Sequence, residues 1–154
     1  MLDKPQIVQT PAQAIAVIRL TVPREEIQKV MGPGLGELMA AVAAQGVKTT
    51  GPWFTHHLKM PGEVFDFEIG VPVAKSVGAA GRMKPSQRPA MTVARTVYHG
   101  PYEGLASAWG EFMAWIAAER HEATPELWEC YLAGPESGPD PAKWRTQLDR
   151  PLAR

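Results

Sequence analysis

Gly36-Glu37-Leu38-Met39-Ala40-Ala41-Val42-Ala43-Ala44 recurs further along the chain as Gly110-Glu111-Phe112-Met113-Ala114-Trp115-Ile116-Ala117-Ala118. An internal repeat constrains architecture more than local propensity does, because each copy must form the same supersecondary unit. Leu35, Leu38 and Val42 recur at helical spacing, and Trp109, Phe112 and Ile116 take the equivalent places in the second copy. Each stretch therefore reads as a helix burying one apolar stripe. The Met, Trp and Phe side chains on these stripes are read as core.

The repeat extends outward from the helices. Upstream, Ala14-Ile15-Ala16-Val17-Ile18-Arg19 resembles Ala90-Met91-Thr92-Val93-Ala94-Arg95, and both are strand-like. Downstream, Trp53 to Lys59 and Leu127 to Ala133 read as strands, followed by Phe65 to Val73 and Trp144 to Leu152. Pro72 and Pro151 fall at the same place in the last pair, where each marks a strand end or edge that needs no ladder hydrogen bond. Each half thus reads strand-helix-strand-strand. The expectation is one α+β domain over residues 1–154, with repeat one at about 6–74 and repeat two at about 90–152. Its antiparallel sheet carries helices on one face and a ligand groove, shared by the copies, on the other.

Turn chemistry sets the boundaries. Gly32-Pro33-Gly34 is expected to interrupt the chain before the first main helix, leaving Arg24 to Met31 as a separate helical turn. His99-Gly100-Pro101 opens the second helix. Ala74 to Pro89 reads as the connection between copies, and Glu136 to Pro141 as an exposed loop.

Composition narrows the function. With 16 basic and 16 acidic residues the chain has no net field to draw it to nucleic acid or an anionic membrane, so neither is expected as a partner. Cys130 is the single cysteine, which excludes an intrachain disulfide and a thiolate metal cluster and fits a reducing cytoplasm. Met1 to Pro5 lacks an apolar signal core and no apolar run reaches membrane-spanning length, so neither export nor insertion is expected. No cofactor is implied, and no protein partner can be named.

Strand alternation places Leu127, Glu129 and Tyr131 on one face of their strand and Trp128, Cys130 and Leu132 on the other. The second set is the more apolar and is expected on the helix side. Phe65, Phe67, Ile69 and Val71 form an apolar face opposite Asp66 and Glu68. Acidic and aromatic groups are thus expected to converge on the non-helical face, as in an apolar small-molecule site. A carboxylate withdrawn from water there is primed for a cation, and Tyr and Trp faces add cation-π attraction of roughly 0.5 to 2 kcal/mol per contact. His56 and His57 are strand neighbours pointing to opposite faces, which argues against a shared metal ion. His57 shares parity with Trp53 and can reach the groove as a polar contact or proton carrier, or lie at its rim. Cys130 points away from Glu129 and is given no chemistry, and Ser107 has no visible partner base.

Phe67-Glu68-Ile69-Gly70-Val71-Pro72-Val73, His99-Gly100-Pro101-Tyr102-Glu103 and Trp128-Glu129-Cys130-Tyr131, in this order along the chain, resemble the GyrI-like family. That family provides the effector-binding module of bacterial multidrug-responsive transcription regulators. The resemblance covers about Ile7 to Leu152, leaves no room for a helix-turn-helix segment, and implies a stand-alone role. It implies that Glu129 lies in the pocket and meets lipophilic, often cationic, aromatic ligands, with Tyr131 beside it. Glu68, Trp53, His57, Tyr98 and Tyr102 are the further candidate lining residues. Some stand-alone relatives hydrolyse cyclopropane-bearing alkylating toxins, so a hydrolase with Glu129 as acid/base and Tyr131 as orienting group stays open, with Glu68 as a second carboxylate. A topoisomerase-modulating interaction protein is a third reading.

Overall fold

The repeated apolar spacing folds as read, into two helices that each cover a sheet. The computed structural model describes residues 1–59 and 62–153. In chain order the elements are β1 (Gln6–Thr10), β2 (Gln13–Pro23), α1 (Ile27–Ala44), β3 (Phe54–His57), β4 (Val64–Pro72) and β5 (Lys84–Arg88). They continue as β6 (Met91–His99), α2 (Leu105–Ala118), β7 (Leu127–Ala133) and β8 (Arg145–Pro151), with short 3-10 turns before each helix and after β7. The chain divides into two compact units, one formed by Pro11–Ala90 and the other by Met1–Thr10 together with the chain from Met91 onward.

Within the Pro11–Ala90 unit the strands run β3-β4-β2-β5, every pair antiparallel. Leu38 and Val42 of α1 pack with Ile18, Phe67, Ile69 and Val71 of the sheet in one apolar cluster. In the other unit the order is β1-β6-β8-β7, again antiparallel throughout. There Trp109, Phe112 and Ile116 of α2 pack with Ala94, Leu127 and Leu148. Each helix stripe therefore has its own core, and burial of these side chains, worth roughly 1.5 to 3 kcal/mol each, outweighs the modest propensity of the helices.

The break expected at Gly32-Pro33-Gly34 does not occur. A 3-10 turn over Arg24–Glu26 leads into one α-helix from Ile27 to Ala44 with Pro33 inside it. Pro33 lacks an N–H and costs about 3 kcal/mol in a helix interior, a loss offset by the apolar stripe on either side. Gly34 is small because α1 comes down on the sheet here: a Cβ built on it would lie 2.7 Å from Ile69 Cδ1. The Gly-Pro-Gly signature marks close approach, not a turn.

The connection Ala74 to Pro89 holds an edge strand, since β5 pairs with β2 from Gln13–Arg88 to Val17–Lys84. β1, at the start of the chain, pairs with β6. β1 immediately precedes β2 as β5 precedes β6, so each copy's leading strand lies on the sheet of the other copy. Pro72 and Pro151 close β4 and β8 as expected, and their carbonyls accept from Thr50 N and Thr124 N at 3.0 and 2.9 Å. Ile15 stands opposite Pro72 and Val93 opposite Pro151, a pairing two residues on from the sequence match of Ile15 with Met91. An even shift keeps every side chain on its face. Among the described residues no helix is long and apolar enough to cross a membrane.

Candidate functional site

β7 and β8 pair in register from Trp128–Asp149 to Tyr131–Thr146, and the register shifts only before Ala133. Strict alternation through this stretch puts Leu127, Glu129 and Tyr131 on one side. That side faces α2, the reverse of the sequence expectation: Leu127 sits in the cluster with Trp109, Phe112 and Ile116. Glu129 is moreover held by the indole of Trp109 on α2. Trp128 is as deeply buried as Leu127, at 3% against 2%, so apolar character could not tell the two faces apart.

The Glu129 carboxylate accepts on both oxygens. Trp109 Nε1 donates to Oε2 at 2.6 Å and the Tyr131 hydroxyl donates to Oε1 at 2.7 Å. These are short charge-assisted bonds from neutral donors, each contributing about 1.5 to 3 kcal/mol to the ionised form. Burial nevertheless dominates and raises the Glu129 pKa above the ordinary carboxylate value, with the Tyr131 and Trp109 bonds pulling it back. The Glu129 carboxylate is thus half-buried, fixed in direction, and held by two neutral donors.

Aromatic rings continue from this pair. Tyr102, in the 3-10 turn Tyr102–Gly104, meets Tyr131 edge-on with centroids 5.9 Å apart. It also leans on Trp144 at 5.2 Å. Trp144 is itself fixed by its indole N–H donating to Gly138 O at 3.2 Å. Trp109, Glu129, Tyr131, Tyr102 and Trp144 therefore form one connected cluster in a single unit. Trp109 and Trp144 were not expected here. The available signal was the repeat itself, because they stand where the first copy has Leu35 and Phe65.

The remaining candidates lie elsewhere. Tyr98 is buried and its hydroxyl donates to Pro101 O at 2.9 Å, so it supports the turn into α2. Gly100, at φ +143°, and Gly104 leave room for its phenol ring. In the Pro11–Ala90 unit, Trp53 packs against the apolar cluster under α1. Glu68 lies on the sheet side away from α1 and accepts or shares a proton with His56 Nδ1 at 3.0 Å. Glu68 and Glu129 thus occupy opposite sides of their respective sheets relative to the helix. Next to Glu68, Asp66 is chelated by Arg19 at 3.0 and 2.8 Å. His57 points the other way from His56 and stacks on Phe67. By strand pairing, Thr55 opposite Ile69 and His57 opposite Phe67 correspond to Glu129 opposite Leu148 and Tyr131 opposite Thr146.

These features define a duplicated α+β domain with a half-buried carboxylate set among aromatic rings in the unit that carries α2. The chain belongs to the family of GyrI-like small molecule binding domains, whose model matches residues 3–152. The C-terminal domain of EcmrR has the same fold, with a TM-score of 0.86 at 22% identity over 98% of each chain. EcmrR in its DNA complex matches with a TM-score of 0.85 at 24% identity, and this chain spans 57% of that one. SAV2435 bound to tetraphenylphosphonium matches with a TM-score of 0.69 at 11% identity, covering 98% of this chain and 94% of that one. At these identities the likeness is one of fold. No curated protein matches the chain in sequence.

Proposed function

We propose that this domain binds lipophilic aromatic cations of varied shape, with Glu129 as counter-charge and Tyr131, Tyr102 and Trp144 as the aromatic wall. The observation that carries this reading is a half-buried carboxylate whose two hydrogen-bond donors, an indole and a phenol, are both neutral. Such a group gains most from an incoming positive charge, which favours the ionised form without breaking either bond. Tetraphenylphosphonium, the ligand seen in SAV2435, has no hydrogen-bond donor, so charge and aromatic surface alone can recognise it. Recognition of that kind sets few demands on ligand shape, which supports breadth of specificity.

Calorimetric titration tests the proposal. Glu129→Gln is expected to weaken tetraphenylphosphonium by roughly 10- to 100-fold, the loss of a desolvated charge contact, and to change neutral naphthylmethanol little. In the wild type, cation affinity should rise with pH above the ordinary carboxylate range, as Glu129 ionises, and the variant should lose that slope. Equal loss of the cation and the neutral compound would overturn the assignment.

A further inference from the structure

The Pro11–Ala90 unit has His57 where the other has Tyr131, and Thr55 where the other has Glu129. His57 is 6% exposed, stacked on Phe67 at 5.3 Å between centroids and met edge-on by Phe65 at 5.7 Å. Its Nδ1 is fully buried and has no hydrogen-bond partner among the described residues. A buried ring nitrogen left in this state is a net cost to the fold, and such groups in native structures call for a reason. Burial first, and the neighbouring His56 second, push the His57 pKa down to about 4. The imidazole is therefore neutral near pH 7, with one donor and one acceptor nitrogen.

We propose that His57 is the polar anchor of a second ligand site, in this unit, that takes the uncharged hydroxyl of an aromatic molecule. A hydroxyl both donates and accepts, so it satisfies Nδ1 in either tautomer. Phe65 and Phe67 supply the apolar surroundings. Cations are disfavoured, because the Arg24 guanidinium already lies over the Phe65 ring, 5.9 Å from its centroid. The two copies would then divide their ligands by charge: a cation on Glu129, a neutral alcohol on His57. This inference stands apart from the cation site and does not need it.

The test compares naphthylmethanol with methylnaphthalene, which differ by the hydroxyl alone, on the full chain. Wild type should bind the alcohol about tenfold more tightly, and His57→Phe, which keeps the ring stack, should remove that difference. Tetraphenylphosphonium should stay within about twofold in His57→Phe, since that variant leaves Glu129 and its two donors in place. Nitrogen NMR of wild-type imidazoles gives a readout free of any folding defect: the His57 Nδ1 signal should move with the alcohol and not with the hydrocarbon. No preference for the alcohol in wild type, or an unmoved Nδ1 signal at saturation, would overturn the site. Failure of Glu129→Gln to weaken the cation would count only against the reading of Glu129.

Discussion

At equivalent positions the two copies carry unlike chemistry on like scaffolding. Leu38 and Val42 in one and Phe112 and Ile116 in the other are all at most 2% exposed, apolar, and packed under the same strands. Around them Leu35, Thr55 and His57 are exchanged for Trp109, Glu129 and Tyr131. The exchange is concerted. A carboxylate at the position of Thr55 would have no indole from Leu35, and His57 offers one ring donor at most in place of the phenol. What the difference teaches is that the helix stripe and strand alternation set the packing, while three positions beside them decide whether a unit can hold a half-buried charge.

The comparison is broken most directly by moving the charge. Thr55→Glu should destabilise the protein by at least ~3 kcal/mol in denaturant titrations, because it buries a carboxylate without the two donors. Adding Leu35→Trp and His57→Tyr should recover a substantial part of that loss; no recovery would mean the two sites are not equivalent. A smaller effect with the opposite sign is expected at the native carboxylate. The Glu129 pKa is raised in the folded state, so the native state holds its proton to higher pH than the unfolded chain, and stability from this group falls as pH rises through that window. Glu129→Gln should therefore raise stability at pH 8, seen as a higher Tm, and the gain should fade below the ordinary carboxylate pKa. The smallest effect separates the two donors: Trp109→Phe keeps the ring and loses one bond to the ionised form. Cation affinity should drop roughly 3- to 10-fold and the midpoint of its pH profile should move upward.

Much of the scaffold is legible in the sequence because it is written twice. Leu127–Ala133 is read to the residue, and Pro72 and Pro151 mark strand ends in both copies. The short edge strands were missed for a physical reason. Gln6–Thr10 and Lys84–Arg88 are largely exposed and held by backbone pairing, so no apolar alternation announces them. Pro33 misled because a helix packed along its apolar stripe tolerates one lost bond, and Gly34 answers to Ile69 rather than to a turn. At the site, Glu129 and Tyr131 were recognisable as a pair, yet their side of the sheet was not, since Leu127 and Trp128 are both buried. Trp109 became visible as a partner only once α2 was set over β7.

The exchanged leading strands also have a consequence for synthesis. Pro11–Ala90 is contiguous and contains β2, β3, β4 and β5, which pair with one another, so these pairings can form as soon as it leaves the ribosome. β1 emerges before Pro11–Ala90, but its partner strand starts with Met91, 81 residues after Thr10. Until β6 appears, β1 lacks that partner and presents an open strand edge, the kind of segment a chaperone would shield. The unit that bears Glu129 is thus started before Pro11–Ala90 and completed after it, so its sheet closes only through a long-range pairing.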